Sequence, residues 1–310
     1  MLLERATIGD WDFPRAVAGV ALLLEHGRTH GLTDVALLAG TGLTPTGIAA
    51  ATEVTAAQEM RVVRNLRAGL GEVGAAVGRR YRAGTFGALG YALLASPTVG
   101  DAMNVALRFL DLSHAFALPR VELDGDRVGI VVDGAGLPGD VRRFLVERDA
   151  AAIRTVLAEV GGLEASAEDR GGAILLGLDI ADLGRPLSQS DPAALAVGEE
   201  VCRTVVARRR ERAGLAGEVR VLITQRLASG APMPTVAAAA GLSERTLRRR
   251  LAAEGTAYQR LLDEVRETLA LELLGALPVQ DVAVRLGYAE ASSFILAFRR
   301  WTGRTPGTRG

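Results

Sequence analysis

Apolar positions along the chain change their period several times, and those changes mark the elements. An apolar run at 17–24 predicts a helix through 22–25, closing a mixed lead-in over residues 1–30. Residues 31–205 read as an α-rich domain with few strands. Helical spacing predicts helices over 99–112, where Asp101 can cap the first turn, and over 141–160. Two alternating runs, 121–123 and 128–132, flank Asp124, Gly125 and Asp126, and predict a hairpin. The run 173–178, entered from Gly171 and Gly172, predicts another strand. Segment 207–217 is charged and then punctuated by glycine, which predicts a linker whose arginines form a solvated charge run.

The last third of the chain contains a repeat. Residues 236–251 and 282–298 both begin Val-Ala, and each alanine is followed four residues later by glycine: Ala237 by Gly241, Ala283 by Gly287. A polar turn follows, then a helix with two large apolar residues four apart, Leu247 and Leu251 in the first copy, Phe294 and Phe298 in the second. Two short helices that cross steeply need a small residue at their contact and a turn residue that tolerates positive φ. Alanine and glycine meet those needs, so each copy predicts a helix-turn-helix. Between the copies, Leu261, Val265, Leu269 and Leu273 form one apolar stripe on a helix over 257–274, and Pro278 restarts the chain.

At about 100° per residue, the first copy's second helix (244–254) sets Arg245 and Arg249 opposite its buried leucines. Thr246 and Arg248 flank that face, and Arg250 lies nearer the buried margin. Ser243 is placed as the N-cap, and the helix N-terminus above it favours a phosphate. An arginine face held out by a helix-turn-helix suits the major groove, where arginine pairs with guanine O6 and N7. In the second copy's helix (291–301), Phe294, Ala297, Phe298 and Trp301 form the buried side. Ser292, Leu296 and Arg299 lie opposite, with Ser293 and Arg300 at the margins. An apolar Leu296 there fits one of two readings: a contact with a thymine methyl, or a helix that mostly grips the phosphate backbone through Arg299 and Arg300.

Composition sharpens this reading. The 310 residues are 49% apolar and 23% charged with a formal net charge of zero, an ordinary globular balance with room for two domains. Charge is unevenly spread: residues 203–310 hold 18 arginines against 10 acidic residues, a net +8, so the rest carries −8. Such a split points to nucleic acid on one side. Every basic residue is arginine, a sign of GC-rich coding more than of mechanism. One cysteine, Cys202, excludes an internal disulfide or a thiolate metal cluster, and it reads as a packing residue. His26 and His30 can share a helix face but read as surface or core rather than as a zinc site, so no metal or cofactor is expected. No catalytic constellation or phosphate-cradling loop stands out, which weighs against an enzyme. The run at 17–24 is too short to span a membrane and no cleavage site follows it, so the protein is expected in the cytoplasm, without a membrane partner.

The stretches GLSERTLRRRLAAEGTAYQRLLDEVRETLALELL and VQDVAVRLGYAEASSFILAFRRWTGRTP closely resemble the AraC/XylS family of bacterial transcription regulators, over about 218–310. The resemblance implies seven helices, with two helix-turn-helix units on one long helix contacting successive major grooves. It carries the family's base-contacting positions onto Arg245, Arg248 and Arg249, and onto Ala291, Ser292, Ile295 and Leu296. The sequence departs from the family pattern at Leu296, where a basic residue is common, and at Thr308, where a tyrosine is common. GTFGALGYALLASPTVGDAMNVALRFL (84–110) and parts of 183–202 resemble the family's arabinose-binding-type regulatory domain. Between 160 and 173 the chain is shorter than such domains usually are, which bears on whether an effector pocket is kept.

The expected fold is therefore mainly α with a small β component. Residues 1–206 form an α+β regulatory domain, 207–217 the linker, and 218–310 an all-α DNA-binding domain. The expected function is sequence-specific binding of double-stranded DNA by a transcription regulator, an activator, with a small-molecule effector. A homodimer and RNA polymerase are the expected protein partners. A dimeric regulator without a ligand is the alternative within this class; an enzyme or a protein-interaction module are the alternatives outside it.

Overall fold

The computed structural model describes residue 3, residues 14–211 and residues 214–306, and the chain divides into two compact units, Met1–Arg210 and Glu211–Gly310. In the first unit, β1 (Arg15–Ala16) leads into α1 (Ala18–Thr29), α2 (Asp34–Leu37) and α3 (Pro45–Ala50). The two-residue β2 (Glu53–Val54) pairs antiparallel with β1 and is followed by α4 (Ala56–Leu70). Thr55 and Gln58 form a capping box on α4: the Thr55 hydroxyl accepts from the Gln58 amide at 3.1 Å, and the Gln58 side chain accepts from the Thr55 amide at 3.0 Å. Next come α5 (Gly74–Gly78), α6 (Ala88–Ala95) and α7 (Val99–Arg108).

The predicted helix over 99–112 is thus α7 followed by a 3-10 turn at Leu110–Leu112. Its cap differs from expectation. Thr98 is the N-cap, accepting from the Asp101 amide at 3.2 Å, and the Asp101 carboxylate receives the Thr98 hydroxyl at 2.6 Å. An acidic residue inside the first turn leaves the capping position to the hydroxyl that precedes the helix.

The predicted hairpin is β3 (Pro119–Asp124) and β4 (Arg127–Asp133), and α8 (Arg142–Gly161) follows. Then β5 (Ser166–Asp169) and β6 (Ala173–Asp179) complete a four-stranded antiparallel sheet in the order β3-β4-β6-β5. The short stretch between 160 and 173 therefore holds a strand of its own. Val128, Ile130, Val132, Leu176 and Leu178 are buried, and α8 packs on β4 and β6. The last helix, α9 (Pro192–Glu211), buries Cys202, and burial pushes its thiol up to about 11. The boundary between the two compact units, Arg210/Glu211, falls inside the stretch 207–217. Residues 207–211 end α9 and 215–217 begin the next helix; Arg212 and Ala213 lie outside the described residues. Arginine and alanine are good helix formers, so charge alone did not mark a break.

The core of this unit contains a buried ion-pair network. Arg148 donates to Asp149 at 2.7 Å and to Glu59 at 2.9 Å, and Arg15 lies 3.7 Å from Glu59; all four side chains are at most 4% exposed. Two positive and two negative groups cancel, which is the condition under which buried charge is tolerated. The Arg15 guanidinium stacks 3.8 Å over the Phe116 ring, and burial pulls its pKa down to about 10. Beside the network, α6, α7, α8, β3 and β4 line a cavity of about 150 Å³, taken as the space in which the centre of a water-sized sphere fits.

The second unit is all helical among its described residues. It comprises α10 (Leu215–Thr224), α11 (Met233–Ala239), α12 (Glu244–Ala253), α13 (Tyr258–Leu273), α14 (Val279–Arg285) and α15 (Ala291–Thr302). Where seven helices were implied, six α-helices and a 3-10 turn at Leu227–Ser229 are present among the described residues. Leu247, Leu251, Leu261, Val282, Leu286 and Phe294 are each fully buried in one core. Each such side chain contributes about 1.5–3 kcal/mol relative to exposure. No helix among the described residues of either unit is long and apolar enough to cross a membrane.

Candidate nucleic-acid interface

Two helix pairs, α11–α12 and α14–α15, carry the repeat, with α13 between them. Both turns use glycine in the left-handed region, Gly241 at φ 68° and Gly287 at φ 76°. The two positions differ in surroundings. A Cβ on Gly241 would meet nothing within 4 Å, whereas one on Gly287 would lie 2.1 Å from the Leu227 carbonyl oxygen and 2.6 Å from the Gly230 amide nitrogen. The second turn is therefore pressed against the backbone after α10, and the first stands free.

The long helix α13 ties both pairs to α10. Arg220 on α10 donates to Glu264 at 2.6 Å, and Tyr258 donates its hydroxyl to the Ala231 carbonyl at 2.5 Å. Burial pushes the Tyr258 phenol up to about 12, so it remains a donor. Arg266 donates to the Leu286 carbonyl at 3.1 Å, and its guanidinium stacks 4.4 Å over the Tyr288 ring, which fixes the second turn. The Glu254 carboxylate, at the end of α12, accepts from the Leu215 and Ala216 amides at 3.0 and 2.8 Å. It thereby serves as a remote N-cap for α10.

Within α12, Ser243 is the N-cap, its hydroxyl accepting from the Thr246 amide at 3.3 Å and lying 2.9 Å from the Thr246 hydroxyl. Arg245, Arg248, Arg249 and Arg250 are all exposed, while Leu247 and Leu251 are fully buried. Arg250 is exposed although it lies nearer the buried margin, since only the two leucines reach the core. Arg248 pairs with Glu244 one turn earlier at 3.3 Å, a weak exposed pair. Arg245, Arg249 and Arg250 have no ion pair among the described residues. Ser243 is exposed, whereas Thr246 is half-buried.

On α15, Phe294, Ala297 and Phe298 are buried and Trp301 half-buried, the side expected to pack. Ser292, Leu296, Arg299 and Arg300 are exposed; Leu296 retains 71% of its surface. Ala291 and Ile295 are half-buried, so their access to a groove is narrower than that of Leu296. Ser292 donates to Glu290 at 3.2 Å, and Arg300 donates to Asp263 on α13 at 3.1 Å, leaving Arg299 the less committed of the two arginines. Thr308 lies outside the described residues. The duplicated glycines and paired apolar residues thus come together as two helix pairs on one scaffold. The cavity of the first unit had no candidate residues in the sequence, since its lining is ordinary apolar core.

Residues 31–168 match the family described as the arabinose-binding domain of AraC transcription regulator, N-terminal, and residues 236–308 match a helix-turn-helix domain family. An uncharacterised HTH-type transcriptional regulator of Mycobacterium tuberculosis is 32% identical over 330 aligned positions, covering 94% of each chain. The ornithine utilization regulator of Pseudomonas aeruginosa is 30% identical over 262 positions, covering 76% of this chain and 77% of its own. A solved structure, the transcriptional regulator CdpR from Pseudomonas aeruginosa, is 27% identical with a TM-score of 0.44, covering 93% of this chain and 96% of that one. Both sequence relatives are named as regulators and neither as an enzyme. With a domain match on each side and a relative aligned over nearly its whole length, the chain belongs to the AraC family of DNA-binding helix-turn-helix transcription regulators.

Proposed function

We propose that residues 218–310 read duplex DNA mainly through α12, with Arg245 and Arg249 as base readers and Arg248 and Arg250 beside them. Ser243 and Thr246 sit where the start of α12 meets a phosphate. The second helix, α15, grips more than it reads: Arg299 and Arg300 hold backbone, Leu296 contacts a thymine methyl, and Ala291, Ser292 and Ile295 fill in around it. Helices α12 and α15 enter successive major grooves. The observation that carries this reading is the set of four exposed arginines on α12, with Arg245 and Arg249 opposite two fully buried leucines. Arginine on a helix held out by a helix-turn-helix pairs in bidentate fashion with guanine.

Residues 1–206 act as the regulatory domain, binding a small-molecule effector and mediating self-association. The protein works as a cytoplasmic homodimeric activator that contacts RNA polymerase. Support for self-association comes from exposed apolar residues on α6 and α9, namely Tyr91, Val197 and Val201 at 52%, 62% and 44% exposure.

The test is a base-pair substitution scan across a selected site with wild type and Arg249→Ala. If Arg249 reads a guanine, the variant loses about 1–3 kcal/mol and relaxes preference at one base pair. Uniform weakening across sequences assigns Arg249 to the backbone instead, and unchanged binding removes it from the interface.

A further inference from the structure

The cavity of the N-terminal unit is about 150 Å³, and its wall is hydrocarbon from Leu93, Met103, Ala106, Val121, Ile130, Val156 and their neighbours. Four polar residues also line it: Tyr81, Ser113, His114 and Asp149. Asp149, Ser113 and one ring nitrogen of His114 are engaged within the fold. Asp149 accepts from the Phe116 and Ala117 amides at 2.7 and 2.8 Å and from Arg148 at 2.7 Å. The Ser113 hydroxyl accepts from the Ala115 amide at 3.2 Å, and His114 Nε2 lies 3.4 Å from the Thr85 carbonyl. Tyr81 is 1% exposed, and its hydroxyl has no hydrogen-bond partner among the described residues. Burial pushes its phenol well above the ordinary range, so it stays a neutral donor.

This chemistry selects against a sugar. A sugar carries a hydroxyl on nearly every carbon, and each one would leave water for a wall that offers almost no partners. It selects against a carboxylate too. The lining includes no arginine, and the Arg148 guanidinium beyond it is already divided between Asp149, Glu59 and the His114 carbonyl. A cavity of similar size lined by leucine, isoleucine and phenylalanine stays dry and takes up benzene.

We propose that the N-terminal unit binds an uncharged apolar molecule of about one ring in size, carrying at most one hydrogen-bond acceptor for Tyr81, and that this chemical class is its effector. The proposal rests on the regulatory reading of this unit. The packing offers a route for the signal. Leu89 and Leu93 of α6 line the cavity, and Ala92 of the same helix packs against Gly198 of α9, the last helix of the unit.

The experiment is thermal unfolding of the full chain with benzene, and in parallel with L-arabinose, for wild type, Ala106→Leu and Val156→Phe. Both substitutions fill the cavity, and circular dichroism establishes that each variant is folded; two variants guard against one failing to fold. At about tenfold excess over Kd, benzene should raise Tm by about 2–4 °C in wild type. The rise should be lost in a folded filled variant, while arabinose gives none. A rise with arabinose and none with benzene overturns the proposal, as does no benzene response in the folded wild type. So does a benzene response that persists in both filled variants. Because binding is read without DNA, failure here leaves the DNA-binding reading standing, and loss of DNA binding leaves this one standing.

Discussion

Gly241 and Gly287 occupy equivalent places in the repeat, yet their replacement by alanine should differ sharply in cost. Both hold φ near +70°, at 68° and 76°. A non-glycine residue there costs about 1–2 kcal/mol. Restricting the unfolded chain returns about 0.4–1 kcal/mol. Gly241→Ala meets nothing within 4 Å, so its net cost is about 0–1.5 kcal/mol. Gly287→Ala adds a methyl 2.1 Å from the Leu227 oxygen and 2.7 Å from Gly230 Cα, both backbone atoms that cannot rotate away. Overpacking of this kind adds about 1–3 kcal/mol. The assay is urea unfolding followed by the fluorescence of Trp301, in a Trp11→Phe background because these are the chain's two tryptophans. With a slope of about 1–3 kcal/mol per molar urea, the Gly287→Ala midpoint should fall about 1 M below that of Gly241→Ala. Coincident midpoints, or a larger loss at Gly241, would refute the close approach of the second turn to the backbone after α10.

Glu254→Gln keeps the shape of the cap on α10 but removes its charge; urea unfolding should show a loss of about 0.5–1 kcal/mol with α12 otherwise intact. Leu296→Arg restores a basic group at an exposed α15 position. If α15 lies against DNA, the slope of log affinity against log salt should steepen by about 0.9 for one added phosphate contact. An unchanged slope would place Leu296 away from the phosphates.

Most of the second unit was legible in the sequence because its constraints are local. Gly241 and Gly287 mark turns, Ser243 caps α12 three residues ahead of its amide partner, and Leu247/Leu251 and Phe294/Phe298 define the packed faces within one or two turns. The hairpin β3–β4 was legible for the same reason: Gly125, at φ 58°, is one of the three turn residues the sequence marked, and Asp124, the first of them, pairs with Arg127 as part of β3. The first unit was harder to read because its determinants are distant in the chain. Arg148 is buried against Asp149 beside it and against Glu59, 89 residues earlier, and sequence periodicity carries no sign of that distant pairing. The cavity is hidden similarly, since Val121 and Val156 look like any core valines until the sheet and helices close around them. Where α9 ends was not legible in 207–217, because an arginine-rich composition suits a helix as well as a loop, and the helix runs as far as Glu211.

The most direct test of the central claim is fluorescence anisotropy of the full chain on duplex DNA from upstream of its own gene. The titration is run with nonspecific competitor and a salt series, for wild type and Arg245→Ala/Arg249→Ala. Wild-type binding should be specific, survive competitor and weaken steeply with salt, and the double variant should lose this binding or fall to the nonspecific level. Specific binding by the double variant equal to wild type would contradict the assignment of α12 as the reading helix.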